Sequence, residues 1–196
     1  MAKEVNRSEL EETLRYRSDE GELRKIIASV ADGGQTVNLS NFLVSAGLEP
    51  TLWAFRVLSV SEDSYLRILA CDIVQNLLEQ EKTRNRLITT DEYPFELLHK
   101  ARLYARGTLD RQEILKIDSK QVYTEAMRMR NERWSRLDPS MFGASLTKAA
   151  VETLRPDARL GAYFAIMSGH SRITTLEVNH EEKQTKMELL RTFLDQ

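Results

Sequence analysis

The sequence predicts an all-α protein, and three observations carry the prediction. Apolar residues recur at three- and four-residue steps along most of the chain. Four prolines and eight glycines fall mostly where those periodic segments begin or end. Strand-like alternation nowhere persists beyond a few residues. The expected architecture is a single multi-helix bundle of successive αα-hairpins, with an irregular solenoid of the same hairpins as its alternative and no strict internal repeat. One domain over 1–196 is expected, within which 1–48 forms a semi-independent helical subregion.

The first helical unit is SELEETLRYR, where Ser8 and Glu11 stand at capping-box spacing. A second runs from about Asp19 to Val30 and ends at Asp32-Gly33-Gly34. VNLSNFLV is the one stretch with strand character. Asn38 or Ser40 as cap and Gly47 as stop favour a short helix there. Pro50 then opens the apolar piece TLWAFRVL.

The clearest helix is SEDSYLRILACDIVQNLLEQE. Leu66, Leu69, Ala70, Ile73 and Leu77 form its stripe, which Val74 and Leu78 widen. Ser61 is the expected cap, and Glu62 and Asp63 suit the positive end of the helix dipole. The next helix, from about Asp91 to Arg106, tolerates Pro94 because it falls in the first turn.

Gly107 suits the left-handed position that ends that helix. Asp110 and Glu113 then have capping-box spacing, and Leu109 and Ile114 the spacing of a hydrophobic staple. The stretch KARLYARGTLDRQEIL therefore reads as a helical corner, not a catalytic loop. A long helix follows, about Arg111 to Leu137, with Leu115, Val122, Ala126 and Met129 in its seam. Asp138-Pro139 restarts the chain, and SMFGASLTKAAVETL ends before Pro156. RLGAYFAIMSG is apolar nearly all round, which predicts a central buried helix. The last helix, from about Thr175, aligns Leu176, His180, Lys183, Met187, Leu190 and Leu194.

Composition narrows the class further. With 41% hydrophobic and 30% charged residues and a formal charge of −2, the chain has the profile of an ordinary globule without a global nucleic-acid signature. The single cysteine, Cys71, excludes an intramolecular disulfide and a multi-thiolate metal site. MAKEVNRSELEETLRYRSDE lacks an apolar signal-like core, and no apolar run approaches the roughly 18 residues a membrane span needs. A cytoplasmic, membrane-free setting is expected.

Candidate chemistry is sparse. His99, His170 and His180 fall in separate segments, and HEEK at His180 lacks the second histidine of a metalloprotease helix. His170 and His180 could join a carboxylate such as Glu181 on a metal. The alternative makes His180 a seam residue and His170 a helix-end residue. Cys71 has Arg67 four residues earlier on its face, yet it sits at the edge of an apolar stripe, as an inert thiol would. The paired carboxylates Glu62-Asp63, Asp91-Glu92 and Glu181-Glu182 read as helix-start or solvated residues. No catalytic residue, cofactor or metal site is expected.

The richest segment is RMRNERWSR. Arg128, Arg130, Arg133 and Arg136 surround Trp134, a combination that binds phosphates and stacks bases, or anchors a protein partner. Glu125 and Glu132 interleave with them, so a solvated face with Trp134 turned inward is the other reading.

Three pieces occur in a familiar order: LWAFRVLS, LRILACDIVQNLLEQ and ELLHKARLYARGTLDRQEIL. Leu52, Trp53, Ala54 and Arg56 mark the first, and Leu69, Ala70, Cys71 and Asp72 the second. Ala101, Arg102, Tyr104, Ala105, Gly107 and Leu115 mark the third, with Arg106 where asparagine is usual. This order resembles helical immunity-type proteins of bacteria and phages, over about 52–115, and EEKQTKMELLRTFL resembles their C-terminal helix. The alanine-rich repeats of such proteins are missing elsewhere. The resemblance brings no catalytic residues. It implies a helical module that acts by binding a protein and neutralising it. A nucleic-acid-associated accessory protein using 128–136 is the alternative expectation.

Overall fold

The computed structural model describes residues 3–83, 92–116, 141–168 and 176–195. Among these residues helices dominate, as predicted: ten α-helices, two 3-10 turns and one short two-stranded sheet. The chain divides into two compact units, Met1–Glu62 with Gln184–Gln196, and Asp63–Lys183.

Among the described residues, the one departure from an all-helical pattern lies in the first unit. β1 (Glu4–Asn6) runs antiparallel to β2 (Thr36–Asn38), with Val5 opposite Val37 and both buried. Each strand passes directly into a helix, α1 (Arg7–Leu14) or α3 (Leu39–Ala46). The cap is in each case the strand's last residue. Asn6 Oδ1 accepts from the Ser8 and Glu9 amides at 2.9 and 3.3 Å, and Asn38 Oδ1 from the Asn41 amide at 3.1 Å. Val-Asn-x-Ser thus occurs twice, at Val5–Ser8 and Val37–Ser40, and does the same work both times. The expected Ser8–Glu11 capping box is not formed. Ser8 is already inside α1, and Glu11 pairs with Arg7 at 2.7 Å.

Between these elements lies α2 (Glu20–Val30), ended by Asp32 and Gly33 at φ 44° and 78°. Asp19 precedes α2 without capping it, because its carboxylate is engaged by Arg17 at 2.9 and 3.1 Å. α3 stops at Gly47, φ 87°, as expected, and α4 (Leu48–Ala54) takes Pro50 into its first turn. The 3-10 turns Phe55–Val57 and Val60–Glu62 follow. The end of the chain closes this unit. Phe193 meets Phe55 edge to face at 6.0 Å, the Lys3 amide donates to the Leu194 carbonyl, and the Ser40 hydroxyl to Asp195.

In the second unit, α5 (Asp63–Thr83) packs against α6 (Tyr93–Ala105), α8 (Met141–Glu152) and α9 (Ala158–Ser168), and α8 also packs against α6 and α9. The stripe read from the sequence is the buried one, from Leu66 to Leu78. Ser61 does not cap α5. It lies in a 3-10 turn, where its hydroxyl bonds that of Ser59 at 2.9 Å.

The corner after α6 stops and restarts its helices at the expected residues, Gly107 and Asp110. Gly107, φ 70°, donates to the Tyr104 carbonyl at 3.0 Å while Thr108 donates to Leu103 at 2.9 Å, the paired bonds of a Schellman end. Asp110 Oδ1 then accepts from the Gln112 amide at 2.9 Å and starts α7 (Arg111–Lys116), on which Ile114 is buried. The rest of the long helix expected to reach Leu137, and the Asp138-Pro139 restart, lie outside the described residues.

Two helices differ from expectation in the face they bury. α9 is not enclosed all round. It buries Ala158, Gly161, Ala162, Ala165 and Ile166 and leaves Phe164 exposed. Hydropathy does not register size, and it is the small residues that admit a close neighbour. At Gly161 a Cβ would stand 2.8 Å from the Glu152 carbonyl oxygen. α10 (Leu176–Leu194) buries Glu182, Lys186, Leu190, Phe193 and Leu194, while His180 and Lys183 of the expected seam are exposed. Its inner face includes charged residues, which an apolar pattern assigns to solvent.

Candidate functional site

The residues singled out for partner binding, Arg128, Arg130, Arg133, Trp134 and Arg136, lie outside the described residues, as does His170. His99 and His180 are exposed on different helices, α6 and α10. Among the described residues no group of three or more His, Cys, Asp or Glu could hold a metal.

The sequence neighbours Glu62 and Asp63 turn to different partners. Glu62 takes the Lys3 ammonium at 2.6 Å, and Asp63 takes the Arg159 guanidinium at 3.2 Å. Glu182 is buried, contrary to the solvated reading of Glu181-Glu182.

Cys71 and Arg67 are neighbours, but they form a structural joint. Arg67 is 4% exposed and donates through its two terminal nitrogens to the carbonyls of Thr153 and Pro156, which lie between α8 and α9. Its guanidinium carbon stands 4.7 Å from the centre of the Tyr104 ring. The cation thus satisfies orphan carbonyls past the negative end of α8. Burial lowers the Arg67 pKa, against the pull of Tyr104, Cys71, Asp63 and Asp157. Burial also pushes the Cys71 thiol up to about 11, a larger effect than those of Arg102, Thr153 and Arg67, which oppose it. Cys71 is therefore a neutral packing residue at ordinary pH.

An arginine–aromatic surface on the first unit was missed in the sequence. Trp53 on α4 is half-buried and donates from Nε1 to the Thr13 carbonyl at 3.1 Å, which fastens the last turn of α1. One turn after Trp53, the exposed Arg56 lays its guanidinium carbon 3.8 Å from the Trp53 ring centre. Three residues after Thr13, Tyr16 is 88% exposed, beside Arg15. Arg17 secures this end of α1, pairing with Asp19 and, at 3.1 Å, with Glu49 of α4. Those partners raise the Arg17 pKa, the Asp19 bond most, and Arg17 holds Asp19 below the usual carboxylate range. The signal was available in RYR at 15–17 and in WAFR at 53–56, whose first and last residues stand at i,i+3.

Trp53 under Arg56, and Tyr16 beside Arg15, can do what aromatics flanked by arginines do: offer apolar area with directional cationic donors at its edge. The residues that carry the family resemblance mostly pack. Leu52, Ala54, Leu69, Ala70, Cys71 and Ala101 are buried, and Arg102 joins α6 to α5 through Asp72 at 2.7 Å. No protein-family model, curated protein or solved structure matches the chain.

Proposed function

We propose that the chain is a non-catalytic protein-interaction module of an immunity or inhibitor type, which binds a protein partner and occludes its surface. The observation that carries this reading is the pairing of an 88% exposed Tyr16, just past the end of α1, with a Trp53–Arg56 stack whose indole is hydrogen-bonded to that helix at Thr13. Covering half of a tyrosine's area of about 150–250 Å², at about 25 cal/mol/Å², contributes roughly 2–3 kcal/mol, the size of an interface hot spot. The resemblance over 52–115 supports the immunity-type assignment, and a single cysteine supports a cytoplasmic setting.

The test is capture of the tagged protein from cells of its native source at moderate salt. A Tyr16→Ala/Arg56→Ala variant and an Arg130→Ala/Arg133→Ala/Trp134→Ala variant are run beside it. A stoichiometric protein complex lost in the first variant, with its melting temperature unchanged, is the expected result. Recovery of nuclease-sensitive material, lost in the second variant and falling steeply with salt, would replace this reading with nucleic-acid binding.

A further inference from the structure

We draw no further inference here: the strongest candidate, the outer face of α9 with Tyr163 and Phe164 edge to face and Arg155 over the Phe164 ring, is an apolar helix face, and nothing in the structure shows what covers it.

Discussion

Replacing Gly161 by alanine tests the packing of the second unit at one atom. The new Cβ would lie 2.8 Å from the Glu152 carbonyl oxygen and 3.3 Å from the Arg155 Cβ. An ordinary C···O contact is about 3.3–3.6 Å, so roughly half an ångström or more must be relieved. The obstacle is main chain at the end of α8, so relief moves helices apart, not one side chain. Overpacking of this kind costs about 1–3 kcal/mol, against about 1 kcal/mol gained by alanine over glycine in a helix. Gly21, in the first turn of α2, supplies the control, since nothing lies within 4 Å of its added Cβ. Gly21→Ala should stabilise by about 0.4–1 kcal/mol. The propensity gains largely cancel between the two variants, leaving Gly161→Ala about 1–3 kcal/mol the less stable. Urea unfolding followed by circular dichroism measures both midpoints. A Gly161→Ala protein stabilised as much as Gly21→Ala would refute the close approach of α9 to the end of α8.

Other joints give predictions of the same kind. Arg67→Met should cost about 2–4 kcal/mol, because the Thr153 carbonyl loses its buried partner; Arg67→Lys, with fewer donors, should recover part of this in the same unfolding assay. Cys71 should resist a thiol reagent at pH 8 in the native protein and react at once in denaturant. Its folded pKa, about 11, lies above its ordinary 9.0, so its stabilising contribution is complete below pH 9 and is lost as pH rises toward 11. The difference in unfolding free energy between the wild type and Cys71→Ala should therefore shrink across that window, by roughly 2–3 kcal/mol; a constant difference would contradict the buried thiol. Asn6→Ala should cost about 1 kcal/mol and Ser8→Ala less than half of that, the reverse of what a Ser8 cap requires.

What was legible in the sequence follows from what one-dimensional patterns register. The α5 stripe and the Gly107–Asp110 corner were readable because local periodicity and turn chemistry specify them without help from distant residues. The sheet was not, because three residues are too few for alternation to stand out, and its two strands are thirty residues apart. Its traces were the strand character of VNLSNFLV, whose Val37 and Asn38 lie in β2, and the repeated Val-Asn-x-Ser, which a search for long repeats passes over. Helix faces failed where composition misleads. Gly161 and the alanines of α9 bury better than its aromatics, and Lys186 and Glu182 face inward on α10. The candidate residues stayed hidden because only a tertiary bond, from Trp53 to the Thr13 carbonyl, ties WAFR to the end of α1, two residues before RYR. Capping at α1 went to Asn6 over Ser8 because β1 delivers Asn6 in extended geometry, and no local rule anticipates that pairing.

The most direct test of the binding account is amide hydrogen exchange of the protein alone and in its captured complex. Added protection confined to the end of α1 around 13–16 and to 53–57 is the predicted result, with Tyr16→Ala weakening the complex at least fivefold, or about 1 kcal/mol, without altering stability. Protection centred elsewhere, with the Tyr16→Ala complex as tight as the wild type, would contradict it.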